Sequence, residues 1–209
     1  MRRITIVDYG MGNLASVRKA LAHLGFDSVL TRLPADIEAA ERLILPGVGA
    51  FGAAMANLER AGLVEPLRSY CASGRPFLGI CLGMQLLMSE SNEMGTWRGL
   101  DIIPGRVRRF FEGGQAPAGI KVPHMGWNTL EIRRRDGLFR SVGESPSVYF
   151  VHSYYVVPED GSVAAATCNH GETFCAALQS GNIFATQFHP EKSGSVGLSI
   201  LAEFARWQP

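Results

Sequence analysis

The chain has 209 residues, 46% hydrophobic and 19% charged, with a net charge of +1. That balance excludes a disordered chain and gives no general electrostatic attraction to nucleic acid or to a membrane surface. No apolar run approaches the roughly 20 residues needed to cross a bilayer, and Met1-Arg2-Arg3 is followed by Asp8 too soon to leave a signal-peptide hydrophobic region. The four cysteines, Cys71, Cys81, Cys168 and Cys175, show neither CxxC pairing nor zinc-ligand spacing. The sequence therefore reads as a cytoplasmic protein with free thiols, no metal and no membrane or nucleic-acid partner.

An apolar run at residues 3–7 reads as a first strand that ends at Asp8-Tyr9-Gly10. Residues 13–24 carry Leu14, Val17, Leu21 and Leu24 at helical spacing, with Gly25 as a C-cap. Strands follow at 28–31 and 42–45, the latter stopping at Pro46-Gly47; helices follow at 51–60 and 63–73. Residues 76–80 form a fourth strand, leading into a helix from Leu82 to about Ser89. Strands alternating with helices predict a parallel sheet covered on both faces. The second half differs: strands at 105–111, 125–132, 148–157, 164–167, 174–179 and 183–188 have few helices between them. An amphipathic helix at 196–207 closes the chain. The expected fold is α/β: three layers, a mostly parallel sheet flanked by helices, and additional antiparallel strands in the C-terminal half. One domain over residues 1–209 is expected, since no repeat or linker interrupts it.

The strongest chemical signal is Gly79-Ile80-Cys81-Leu82-Gly83, placed between a buried strand and a helix. This is the thiol form of a nucleophile elbow, a turn so tight that the residues two before and two after the nucleophile must be small. A thiol there lies near a helix N-terminus, where the dipole favours the thiolate, and the N–H of Leu82 is aimed at a developing oxyanion. The other three cysteines lack flanking glycines and read as core.

His189-Pro190-Glu191 supplies the partners. If these residues continue the last strand, positions 189 and 191 share a face, so Glu191 can orient His189 as the third member of a triad. The glycine-rich run Pro46-Gly47-Val48-Gly49 follows a buried strand and is a natural source of a second oxyanion donor. Gly10-Met11-Gly12-Asn13-Leu14-Ala15 formally matches a dinucleotide fingerprint. However, no acidic residue stands about twenty positions later, so it reads as a tight βα turn with no nucleotide cofactor.

Gly79-Ile80-Cys81-Leu82-Gly83-Met84-Gln85 together with His189-Pro190-Glu191 resembles the signatures of class I glutamine amidotransferases. Four further segments resemble the glutaminase subunits of imidazole glycerol phosphate synthase: residues 8–13, 46–51, 123–128 (Pro-His-Met-Gly-Trp-Asn) and 149–154. The resemblance implies a Cys-His-Glu triad of Cys81, His189 and Glu191 that converts L-glutamine to glutamate and ammonia without a cofactor. It implies an oxyanion hole at Gly49 and Leu82, and glutamine contacts from Gln85, Glu93, Ser153 and Tyr154. It also implies a heterodimer with a cyclase subunit, a (β/α)₈ barrel, met by Asn13, Pro123, Met125, Trp127, Tyr149 and Lys192. Ammonia would pass through that barrel to phosphoribulosyl-formimino aminoimidazole-carboxamide ribonucleotide, giving imidazole glycerol phosphate and aminoimidazole carboxamide ribonucleotide in histidine biosynthesis.

A non-catalytic binding subunit is disfavoured by the intact triad, since nothing in packing demands all three residues; two other readings share the same residues. One is a class I amidotransferase serving a different acceptor. The other is a free-standing thiol hydrolase of γ-glutamyl compounds, which needs no partner for full activity.

Overall fold

The computed structural model describes residues 3–209, so Met1 and Arg2, the start of the weighed signal-peptide pattern, lie outside the described residues. The first half alternates strand and helix. Its elements are β1 (Ile4–Val7), α1 (Leu14–His23), β2 (Ser28–Thr31), α2 (Pro34–Ala39), β3 (Arg42–Gly47), α3 (Phe51–Arg60), α4 (Val64–Ala72), β4 (Phe77–Cys81) and α5 (Leu82–Gln85). The rest is strand-rich: β5 (Glu90–Ser91), β6 (Trp97–Arg98), β7 (Gly105–Arg109), β8 (His124–Thr129), β9 (Glu131–Ile132), β10 (Ser147–His152), β11 (Tyr154–Pro158), β12 (Ala164–Asn169), β13 (Thr173–Ser180) and β14 (Ile183–Thr186). Helix α6 (Gly194–Arg206) closes the chain.

The main sheet has eight strands in the order β2-β1-β3-β4-β14-β13-β12-β9. Pairings from β2 through β14 are parallel, and those from β14 to β9 are antiparallel. Its strands are apolar on both faces, as a sheet covered on both sides requires. Ile4, Ile6, Ile44, Leu78 and Phe184 face one core with Val17 and Leu21 of α1 and Ile200 and Phe204 of α6. Their neighbours Val7, Leu43, Leu45, Phe77 and Ala185 face a second core with Ile37 of α2, Phe51 and Leu58 of α3 and Leu67 of α4. The fold is the expected three-layer α/β arrangement with antiparallel strands added late in the chain.

Several elements differ from the sequence reading. Helix α2 was not anticipated, because six residues behind Pro34 are too few to display a period. The expected helix to about Ser89 stops at Gln85. The next carbonyls are taken by a returning segment: Leu100 N–H bonds Leu86 O, Ile102 and Ile103 bond Leu87 O, Asp101 bonds Met88 O and Gly99 bonds Ser89 O. A helix cannot propagate through carbonyls that are already engaged. The single strand expected at 148–157 is two, broken at Ser153. β10 pairs with β8 in a two-stranded sheet, whereas β11 pairs with β7 in a four-stranded sheet completed by β5 and β6. Among the described residues no helix is long and apolar enough to cross a membrane.

Gly83 sets how close α5 lies to β3: a β-carbon there would fall 1.8 Å from the Leu45 carbonyl oxygen. Gly83→Ala is expected to destabilise the chain at or above the top of the ~1–3 kcal/mol range of overpacking changes. Gly143→Ala, whose β-carbon would meet nothing within 4 Å, should leave the urea midpoint unchanged. Equal midpoints for the two variants would show that the close approach is dispensable.

Candidate active site

Strand β4 ends on Cys81 and α5 begins one residue later. Cys81 has φ 55° and ψ −109°, a left-handed conformation that costs a non-glycine residue about 1–3 kcal/mol. Two glycines make room for it. A β-carbon at Gly79 would lie 2.9 Å from the Gly83 carbonyl and 3.1 Å from Ala185 Cβ, and Gly83 meets Leu45 as described. Helix α5 is a single turn, so what it offers the cleft is its terminal N–H groups; that of Leu82 has no intrahelical acceptor.

His189 approaches from the segment after β14, which pairs with β4 in parallel. Its Nδ1 is 2.8 Å from Glu191 Oε1, and both side chains are 1% exposed. The proximity does not come from strand alternation, as the sequence suggested. β14 ends at Thr186, and Pro190–Lys192 forms a 3₁₀ turn that swings Glu191 back beneath the imidazole. Ser193 Oγ donates to the His189 carbonyl at 2.7 Å and fixes that turn. His189 Nε2 is buried outside conventional hydrogen-bond geometry with any neighbour. Burial lowers the His189 pKa, but interactions with Cys81 and Glu191 outweigh burial and push it up to about 10. Its surroundings thus favour the protonated ring over the neutral one.

These residues open on a cleft of about 310 Å³. Its lining includes Val48, Gly49, Leu82, Gln85, Glu93, Ser153 and Tyr154. Gly49 has φ 103°, so the loop after β3 uses backbone freedom that only glycine supplies cheaply. Glu93 is tied to the same loop. Its carboxylate accepts the Phe51 N–H at the start of α3, its carbonyl accepts Trp97 Nε1–H at 2.9 Å, and the Trp97 ring lies where a β-carbon on Gly52 would reach 2.6 Å. Gln85 Nε2 donates to the Tyr154 carbonyl at 3.1 Å and to Gln187 Oε1 at 3.0 Å.

Beside the cleft, β8 alternates its faces. Met125 and Trp127 point outward, 63% and 58% exposed, while His124 is buried. Trp127 meets Tyr149 edge to face at 6.2 Å, and Lys192 Nζ stands 5.9 Å from the Tyr149 ring centroid. Pro123 lines the cleft itself, which joins this surface to it. Asn13 sits at the N-terminal cap position of α1 with no side-chain capping bond.

Gln187 was not singled out from the sequence. Its Nε2 is 3.7 Å from Cys81 Sγ, and it links that sulfur to Gln85. The available signal was its position two before His189. Cys71, Cys168 and Cys175 are buried elsewhere, and burial pushes each thiol up to about 12. Among the described residues, no group of three or more His, Cys, Asp or Glu side chains is placed to hold a metal ion.

The model of the class I glutamine amidotransferase family matches residues 5–206. The imidazole glycerol phosphate synthase subunit HisH of Geobacter sulfurreducens is 56% identical over 205 residues, 98% of each chain. The chloroplastic imidazole glycerol phosphate synthase hisHF of Arabidopsis thaliana is 51% identical over 203 residues, 96% of this chain and 33% of that longer one. The solved structure of PurLQS from Thermotoga maritima superposes with a TM-score of 0.74 at 19% identity, covering 98% of both chains, and so shares the fold. The chain belongs to the class I glutamine amidotransferase family and, within it, to the HisH subunits of imidazole glycerol phosphate synthase.

Proposed function

We propose that the chain is the glutaminase subunit of an imidazole glycerol phosphate synthase and hydrolyses L-glutamine at Cys81. The observation that carries the reading is that His189, bonded through Nδ1 to the buried Glu191 carboxylate, lines the same cleft as Cys81 at the end of β4. In this reading the Cys81 sulfur attacks the carboxamide carbon, and the carbonyl oxygen gathers negative charge toward the N–H groups of Leu82 and Gly49. His189 passes its proton to the departing nitrogen as the C–N bond breaks, which releases ammonia and leaves a glutamyl thioester. Water then attacks the thioester with His189 as base, and the C–S bond breaks to give glutamate and the thiol. Glu191 keeps the imidazole oriented and its charge favourable. Gln85, Glu93 and the backbone at Ser153 and Tyr154 hold glutamine in the cleft.

The outer face of β8 supplies the partner surface. Two large apolar side chains there are more than half exposed, and Trp and Met are enriched in protein interfaces. Asn13, Pro123, Tyr149 and Lys192 complete this surface in the proposed heterodimer with a (β/α)₈ cyclase subunit. The Arabidopsis relative supports the pairing, because two-thirds of that single polypeptide lies beyond the part matching this chain. Ammonia would pass through the barrel to the ribonucleotide acceptor; in the same reading the chain is a single cytoplasmic domain, residues 1–209, that works without a cofactor.

Cys81→Ala is expected to abolish glutamate release in the reconstituted synthase while leaving the far-ultraviolet circular dichroism and melting temperature within error. Wild-type turnover by this variant would remove Cys81 from the mechanism.

The His189 proton also sets the pH response. Its pKa is higher folded than the ordinary value of 6.5. The pair therefore stabilises the fold fully below that ordinary value and loses its contribution as pH rises through the folded one. Glu191→Gln removes an attracting charge. The alkaline limb of kcat/KM should move to lower pH by about one to three pH units. An unmoved limb would show that Glu191 does not sustain the imidazolium.

The isolated chain should hydrolyse glutamine slowly, and the cyclase subunit with its acceptor should raise the rate by about two to three decades, the worth of one oxyanion donor gained as the loop of residues 48–50, between β3 and α3, turns an N–H into the cleft. Trp127→Ala should weaken association with the cyclase in calorimetric titration more than it lowers the melting temperature. Full activity of the isolated chain would favour the free-standing hydrolase.

A further inference from the structure

His124 and His152 take no part in the chemistry above, yet both are buried beside the cleft. They oppose each other in register across β8 and β10. His124 Nδ1 is 3.0 Å from His152 Nε2, His152 Nδ1 is 2.8 Å from the Tyr154 carbonyl oxygen, and Asn128 Nδ2 is 3.1 Å from His124 Nε2.

The two ends of this chain determine where the protons lie. Two backbone groups orient the Asn128 amide: its Oδ1 accepts the Thr129 N–H at 2.8 Å, and its Nδ2 donates to the Asn169 carbonyl at 2.9 Å. Nδ2 can only donate, so His124 Nε2 must be bare. A neutral imidazole bare at Nε2 carries its proton on Nδ1. His124 therefore donates to His152 Nε2, and His152 carries its own proton on Nδ1, where the Tyr154 carbonyl can only accept. The amide at one end and the carbonyl at the other demand the same direction, and every bond is satisfied with both rings neutral. A second proton on either ring would set two N–H groups against each other.

The surroundings agree. Burial lowers the His124 pKa to about 4, helped by His170 stacked on it at 4.1 Å. Burial likewise lowers His152 to about 3 against the pull of the Tyr154 carbonyl, with His124, His170 and His189 adding repulsion. Phe110, Phe150 and Phe174 pack around both rings, and His170 Nε2 lies 2.8 Å from the Lys121 carbonyl oxygen.

We infer that His124 and His152 are positioning residues: a one-directional hydrogen-bond relay that holds the Tyr154 carbonyl, immediately behind the Ser153–Tyr154 lining of the glutamine cleft, and ties it to β8. The inference rests on the glutaminase reading. Tyr154 O is the point of convergence, since it accepts from His152 on one side and from Gln85 on the other. The strand carrying His124 and Asn128 on its inner face carries Met125 and Trp127 on its outer face. A partner seated on that outer face would thus grip the strand that orients the Tyr154 carbonyl beside the cleft.

In the reconstituted synthase, His124→Phe and His152→Phe should each raise the KM for glutamine about five- to tenfold with kcat changed less than about twofold, the pattern of a lost binding contact. His124→Gln, which still accepts at one end and donates at the other, should recover most of the affinity. Nitrogen NMR of the histidine-labelled wild-type chain needs no substitution. Both rings should appear as neutral Nδ1–H tautomers that do not titrate between about pH 5 and pH 8, the window in which an ordinary histidine does. Unchanged KM in both Phe variants, a proton on Nε2 of either ring, or titration in that window would overturn the relay. If the Phe variants fail to fold, the wild-type tautomers decide the matter. A wild-type complex unable to hydrolyse glutamine would instead overturn the glutaminase reading, whatever the tautomers.

Discussion

Helix α5 can start where it does because nothing projects from Gly83 toward the Leu45 carbonyl, and the geometry of the whole cleft follows from that contact. Held this close to β3, the chain must turn through Cys81 in a left-handed conformation, which lifts the sulfur out of the strand at the C-terminal edge of the parallel sheet. Ligands of open α/β sheets bind along that edge. The flanking strands then deliver the rest: β3 leads into the loop with Gly49, and β14, hydrogen-bonded along β4, leads to His189. The strained turn is tolerated because two apolar cores clamp the sheet from both faces.

The sheet-forming half of the chain was readable because its strands are short, apolar and punctuated. Ile4 to Val7 stops at Asp8, and Leu43 to Leu45 runs into Pro46-Gly47. The glycines around Cys81 announced the elbow because their spacing answers a steric demand independent of the rest of the fold. What escaped notice depends on partners distant in sequence. Nothing near Leu86 says that residues 99–103 will take its carbonyl and end the helix. Nothing in residues 148–157 marks Ser153 as the point where the chain leaves one sheet for another, because both sides are equally rich in β-formers. His189 and Glu191 do meet, but through a 3₁₀ turn anchored by Ser193, a contact that local alternation does not contain.

The main sheet and the segments proposed to meet the partner lie in different parts of the molecule. The chain as a whole superposes on a protein only 19% identical, so the fold persists through replacement of most side chains. Residues 123–128 and 149–154 belong to the separate two-stranded sheet and the joint beside it. The cleft is where the two parts meet: Cys81 and Gln85 come from the framework, Pro123, Ser153 and Tyr154 from the appended strands. Function is grafted on the fold at that seam.

The distribution of the four thiols has a practical consequence. Three are sealed in apolar surroundings that hold them protonated far above neutral pH, and an electrophile reacts with thiolate, not thiol. Cys81 alone among the four faces the cleft. A small alkylating reagent should therefore consume one equivalent per folded chain. The amount taken up then counts competent cleft sulfurs directly, so a preparation can be standardised without any assay of turnover.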